Sequence, residues 1–247
     1  MSDDKTYNQV DSATALKVRK QPQPGDVLDS IYRLDQPLGK GGVGIVYKAW
    51  HLHLQRPCAI KFLHPQLVSN AELRIRFRRE AQSAFQLGHP HIVAITDFRD
   101  DPESWPYLVM ELVIGETLRD RLERGPLPVA ACLTLLARVA ATLARIHHAG
   151  VLHRDIKPAN LFLCDDGFER VVLLDFGAAY REPRTQRTAL TESGVLLGTV
   201  AYMAPEQLGA ERTITAAADI FALGLVADEC LVGDPSRILR HAAAAVT

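Results

Sequence analysis

The sequence predicts an α+β chain of two lobes, and three observations carry that prediction. Short strand-like runs, broken by a single helical stretch, fill the region up to residue 113. Beyond it, apolar residues recur at three- and four-residue steps, the helical period. The composition, 47% hydrophobic and 23% charged over 247 residues, is that of a globular chain able to bury a core.

The elements follow in order. Residues 1–25 are polar and aperiodic and close on Gln21-Pro22-Gln23-Pro24-Gly25, which predicts a disordered leader. Tyr32-Arg33-Leu34, Ile45 to Ala49 and Cys58 to Phe62 alternate as strands do. From Asn70 to Leu87 the spacing is helical, with Leu73, Phe77, Ala81, Ala84 and Phe85 on one face and arginines opposite. Strands are expected again at Ile92 to Phe98 and Tyr107 to Glu111. Pro128 suits a first helical turn, Cys132, Leu136, Val139, Leu143 and Ile146 continue the stripe, and Gly150 ends it. Short strands, turns and loops are expected from 151 to 206, then a helix from Thr215 to Leu231 that stops at Gly233. The predicted organisation is a leader at 1–25, a strand-rich lobe with one helix at 26–113, and a helix-rich lobe at 114–247.

Several function classes are argued against. A net charge of -1, with no excess of Lys and Arg, argues against a nucleic-acid partner, and the short basic run Lys17 to Lys20 reads as a solvated patch. The four cysteines, Cys58, Cys132, Cys164 and Cys230, form no CxxC pair and suggest neither a local zinc site nor a disulfide framework. The start lacks the apolar core of a signal peptide. The apolar region from Ala216 to Val232 is interrupted by Asp219, Asp228 and Glu229, which argues against a membrane segment. A cytoplasmic chain with reduced thiols is the expectation. The histidine pairs His51/His53, His89/His91 and His147/His148 lack acidic or cysteine company at ligand spacing and read as core or surface residues.

The chemistry sits in a series of short motifs. Gly39-Lys40-Gly41-Gly42-Val43-Gly44-Ile45-Val46 places a glycine cluster between two strands, where missing side chains let backbone N–H groups close over phosphates. Lys61 follows on the next strand, in Cys-Ala-Ile-Lys, and a buried ammonium there needs a partner such as Glu80. His153-Arg154-Asp155-Ile156-Lys157-Pro158-Ala159-Asn160 is the most specific segment. Asp175-Phe176-Gly177 and Ala204-Pro205-Glu206-Gln207 come after it.

This ordered set resembles the protein kinase domain, in its bacterial, eukaryotic-like serine/threonine form, over roughly Asp26 to Gly233. The resemblance implies a bilobal fold whose first lobe is an antiparallel sheet with one helix. It implies ATP and Mg²⁺, with Mn²⁺ as the alternative, and protein substrates that include the chain itself. Gly39, Lys40, Gly41, Gly42 and Gly44 would cover the phosphates, and Val46, Ala59, Met110, Glu111 and Val113 would surround the adenine. Lys61 would hold the α- and β-phosphates and be held by Glu80. Asn160 and Asp175 would be the metal ligands. Asp155 would take or orient the hydroxyl proton, Lys157 would offset charge on the moving phosphoryl group, and Thr199 would contact both. Thr191 and Ser193 stand where relatives carry regulatory phosphosites, with Arg154 as the cation to pair with a phosphate. Ala159 departs from the glutamate of many eukaryotic members and weakens arginine-directed specificity.

In the family, Asp219 supports the catalytic loop from beneath. A complete domain continues into further helices, one carrying an arginine that pairs with the residue matching Glu206; here the chain ends at Thr247. A truncated lower lobe is therefore expected. Two readings stand: an active kinase, or a nucleotide-binding but weakly active scaffold or fragment. A small-molecule phosphotransferase is a third. The helix around Ile220, Phe221, Leu223, Leu225, Val226 and Leu231 is apolar on nearly all sides, which predicts self-association, as a homodimer for example.

Overall fold

The computed structural model describes residues 21–41, 44–68, 70–101, 104–165, 167–175, 201–208 and 213–234. These fall into two compact units. One is made by the described residues of Met1–Arg78 and Asp97–Met110, the other by those of Arg79–Thr96 and Glu111–Thr247.

The first unit is built on a sheet of β1 (Val27–Leu28), β2 (Tyr32–Lys40), β3 (Gly44–His51), β4 (Arg56–Leu63), β5 (Ile95–Arg99) and β6 (Tyr107–Met110), in the order β1-β2-β3-β4-β6-β5. The ladders β1–β2, β2–β3, β3–β4 and β4–β6 are antiparallel. Successive strand residues point to opposite faces, so the two-residue period sorts the sheet. Tyr32, Leu34, Ile45, Tyr47, Ala49, Cys58, Ile60, Phe62, Tyr107 and Val109 make one buried core. Val46, Ala59, Lys61, Leu108 and Met110 take the alternate positions and share the other face.

Residues 21–25, assigned above to the leader, belong instead to this packing. Pro22 is buried and its carbonyl accepts the Tyr47 hydroxyl at 3.0 Å, while the Gly25 N–H donates to the Leu34 carbonyl at 2.7 Å. Tyr47 needs an acceptor at the rim of an apolar core, and the proline segment supplies it. The rest of the leader lies outside the described residues.

Helix α1 (Ala71–Leu87) buries Phe77, Glu80, Ala81 and Ala84. Phe85, expected on that face, is 68% exposed. At 100° per residue it stands about a quarter turn from the centre of the buried stripe. Arg74 and Arg78, expected opposite the buried face, lie instead on the same flank as Phe85, where both reach Asp100. The strand expected from Ile92 starts only at Ile95. Val93 N–H instead donates to the Leu173 carbonyl at 3.1 Å, and Leu173 N–H donates to His91 O at 2.9 Å.

The second unit contains β7 (Gly115–Thr117), α2 (Leu118–Leu122), α3 (Val129–His148), β8 (Leu161–Cys164), β9 (Val171–Leu173), α4 (Pro205–Leu208) and α5 (Ala217–Val232). Strands β7-β8-β9 form a small antiparallel sheet. Helix α3 is apolar and long enough to span a bilayer, with a mean hydropathy of 1.7, a property the sequence reading had looked for only near α5. Its stripe of Cys132, Leu135, Val139, Leu143 and Ile146 is buried, and Arg138 at its middle pairs with Glu169, so it packs as a core helix. Helix α5 ends at Gly233, whose φ of 72° is the left-handed cap that glycine adopts without strain. It buries Asp219, Leu223, Val226 and Glu229 and leaves Ile220, Phe221, Leu231 and Val232 exposed.

Candidate active site

In the first unit the ladder registers assemble the side chains expected at a nucleotide. Val46 pairs with Lys61, Lys61 with Leu108, and Ala59 with Met110, so they neighbour one another on one face. Lys61 is 4% exposed despite its charge. Glu80 belongs to the other unit and is equally buried. The β2–β3 hairpin carries the glycine cluster, closed by Gly41 N–H on Gly44 O at 2.8 Å, with Lys40 exposed at its end. The glycines differ in kind. A Cβ on Gly44 would sit 2.1 Å from the Phe62 carbonyl oxygen, so sheet packing dictates that glycine. A Cβ on Gly39 would meet nothing within 4 Å, leaving its backbone open to a ligand. Gly42 lies outside the described residues.

In the second unit, Glu111 N–H donates to Ala94 O at 2.9 Å, and its carboxylate accepts the Ala94 N–H at 3.0 Å. The Glu111 amide is therefore not offered to a base. Its carbonyl and the Val113 backbone carry no hydrogen bond among the described residues.

The residues at 153–160 form an irregular loop between α3 and β8, and side chains hold it. Asp219, 1% exposed on α5, accepts the N–H groups of His153 at 2.9 Å and Arg154 at 2.7 Å, together with His147 Nε2 at 2.8 Å. Arg154 has φ 66°, a left-handed conformation that a bulky residue keeps only where its surroundings enforce it. His153 is fully buried. Its Nδ1 accepts the Asp155 N–H at 3.4 Å and its Nε2 donates to the Leu174 carbonyl at 3.0 Å. Burial holds its pKa below the ordinary imidazole value, against the pull of Asp219 and Asp155, and the neutral ring fits this donor-and-acceptor arrangement.

The loop's functional groups converge. Lys157 Nζ donates to Asp155 Oδ2 at 2.8 Å, and Asn160 Nδ2 donates to the same oxygen at 2.9 Å and to the Asp155 carbonyl at 2.8 Å. Asp155 Oδ1 and Asn160 Oδ1 accept nothing among the described residues, so each presents an oxygen. Asp175 lies two residues past the end of β9, with φ 56°. Its neighbour Leu174 is fixed on both sides, its N–H to Asn160 O at 2.9 Å and its carbonyl to His153. A carboxylate and an amide oxygen are hard donors suited to Mg²⁺, which completes its shell with water and phosphate.

Thr199, Thr191 and Ser193 lie outside the described residues. The sequence reading missed two groupings. Arg119 of α2 donates to both carboxylate oxygens of buried Glu229 and to the Tyr202 hydroxyl at 2.7 Å, and Tyr202 donates to Glu229 in turn. Burial, then the bond to Glu229, pushes the Tyr202 hydroxyl pKa upward. An acid inside an otherwise apolar helix was the signal for it. The second grouping is Gln207, whose side chain meets two backbone groups.

Residues 32–241 match the family model described as the protein kinase domain. The chain is 40% identical over 208 residues to the serine/threonine-protein kinase pkn2 of Myxococcus xanthus, covering 84% of this chain and 25% of that one. It is 36% identical over 215 residues to the serine/threonine-protein kinase PknL of Mycobacterium tuberculosis, covering 87% and 52%. It therefore spans about half or less of these curated relatives. The crystal structure of the Mycobacterium tuberculosis PknI kinase domain superposes with a TM-score of 0.68 at 30% identity, covering 87% of this chain and 79% of that one. The chain belongs to the protein kinase domain family.

Proposed function

We propose that this chain transfers the γ-phosphoryl group of ATP to serine and threonine hydroxyls of proteins, itself included, in bacterial signalling. The observation that carries the proposal is the convergence of Lys157 and Asn160 on one oxygen of Asp155, on a loop held by Asp219. With Oδ2 engaged, Asp155 Oδ1 is the acceptor for the substrate hydroxyl proton. Lys157 stands next to the reacting centre and offsets charge as the phosphoryl group moves. Lys61 would take the α- and β-phosphates, with Glu80 the carboxylate the family expects for it; Val46, Ala59 and Met110 would serve the adenine from the first unit, and the Glu111 carbonyl and Val113 amide are the hinge groups expected to address it. Asn160 Oδ1 and Asp175 hold Mg²⁺, with Mn²⁺ as the alternative ion. When bound, the metal neutralises phosphate charge and orients the γ-phosphate. The family resemblance assigns Thr199 a role beside Asp155 and Lys157, and phosphates on Thr191 or Ser193 would pair with Arg154.

In this reading residues 26–113 form the nucleotide lobe and 114–247 the substrate lobe, in a cytoplasmic chain. The exposed apolar side of α5, at Ile220, Phe221, Leu231 and Val232, supports self-association. The test is transfer from labelled ATP to the chain and to a generic protein, with and without Mg²⁺, beside Asp155→Asn. The wild type should label both with Mg²⁺ present, and the variant should lose about a hundredfold or more. ATP binding without transfer in the wild type would favour the weakly active scaffold.

A further inference from the structure

We propose that Gln207 is a positioning residue for Asp155, carrying the placement of the 201–204 segment to the peptide immediately before the catalytic carboxylate. The inference rests on the assignment of Asp155 above. Gln207 Oε1 accepts the Ala204 N–H at 2.9 Å, and Gln207 Nε2 donates to the Arg154 carbonyl at 3.0 Å. One planar amide thus joins two segments separated by about fifty positions in the chain.

The orientation of that amide is unique. Turned over, it would set its NH₂ against the Ala204 N–H and its oxygen against the Arg154 carbonyl, repulsive at both ends. Both contacts answer a need. Ala204 is 0% exposed, so its N–H requires a protein acceptor. Arg154 is held at φ 66° with its N–H on Asp219, and the Gln207 amide fixes the opposite end of the residue, at the peptide bond to Asp155. Gln207 on the Arg154 carbonyl and His153 Nδ1 on the Asp155 N–H hold both polar groups of that peptide against a flip, and Asp219 holds the peptide before it.

A purely structural account exists for half of this arrangement. Ala204 precedes α4 and Gln207 is its third residue, where Gln or Glu commonly reaches back to cap the first backbone N–H. Glutamate performs that capping as well as glutamine. Only the second bond, from Nε2 to the Arg154 carbonyl, demands an amide, because a carboxylate there would face a carbonyl oxygen. Gln207→Glu therefore separates the two accounts: it keeps the cap and removes the donor toward the catalytic loop.

The experiment measures steady-state transfer by wild type, Gln207→Glu, Gln207→Leu and Asp155→Asn, with melting temperatures alongside. Loss of one buried hydrogen bond to the loop should lower kcat of Gln207→Glu by about tenfold at pH near 8, with the ATP KM within about twofold of wild type. Its melting temperature should stay within about 2 °C of wild type, because the cap survives. As pH is lowered toward the ordinary carboxyl range, about 4.3 for glutamate, the carboxyl regains a proton to donate, so its activity relative to wild type should rise. Gln207→Leu should lose turnover to the same degree, lose stability as well, and show no such recovery. Wild-type kcat in Gln207→Glu, with Asp155→Asn inactive, would overturn the positioning role alone. Full turnover in Asp155→Asn would overturn the catalytic assignment and this proposal with it.

Discussion

Lys61 stands between Val46 and Leu108 because two ladders of backbone hydrogen bonds put it there. Asp155 stands beside Lys157 and Asn160 because Asp219, His153 and Gln207 hold an irregular backbone in place. In the sheet, geometry belongs to the main chain, and a side chain can change without moving its neighbours. In the loop, side chains are the scaffold, so chemistry and stability are entangled.

Asp219→Ala should break the second region most severely. It strands two buried backbone N–H groups and the His147 imidazole, and should cost about 3–5 kcal/mol by chemical denaturation, with turnover falling in parallel. A variant of wild-type stability would remove Asp219 as the anchor. Lys61→Met tests the first region in the opposite sense. Turnover should drop by about a hundredfold while the melting temperature falls less than that of Asp219→Ala, since methionine fills a similar volume and both backbone ladders stay intact. If it unfolds as readily as the Asp219 variant, the contrast between the units fails.

The smallest effect is a pH slope. His153 is neutral when folded and its pKa is lowered by burial, so above the unfolded value of about 6.5 it contributes nothing that varies with pH. Below that, the unfolded state takes up a proton the folded ring refuses, and stability falls by up to about 1.4 kcal/mol per pH unit. His153→Gln should flatten this slope between about pH 6.5 and 5, read from urea midpoints. A slope unchanged in the variant would assign the acid sensitivity elsewhere, with His89, whose pKa burial also lowers, as the next candidate.

The strands around Tyr47 and Ile60 and the helix from Val129 were legible because each repeats a period that a one-sided core imposes. The loop at 153–160 was legible only as a motif. It has no period, and nothing local in His153 to Asn160 reveals that Asp219 carries its backbone. Gln207 was visible as a letter beside Glu206, but its two partners are a neighbour three residues away and a carbonyl far back in the chain. Phe85 was misplaced because hydrophobic identity was read as burial at the edge of a stripe. Pro22 was misread for the converse reason, since a proline-rich stretch looks like a linker until a tyrosine hydroxyl calls for its carbonyl.

All four cysteines are buried: Cys58 in the core of the first unit's sheet, Cys164 at the end of β8, and Cys132 and Cys230 on α3 and α5. Burial raises each thiol's pKa, to about 11 for Cys58 and about 12 for Cys230. Alkylating reagents attack thiolates that solvent can reach, so the folded chain should be inert to them until a unit opens. The rate of labelling at Cys58 then reports breathing of the sheet, and the rate at Cys230 reports separation of α5 from its neighbours. The native sequence thus contains an exchange assay for each unit, readable by mass spectrometry without introducing a probe.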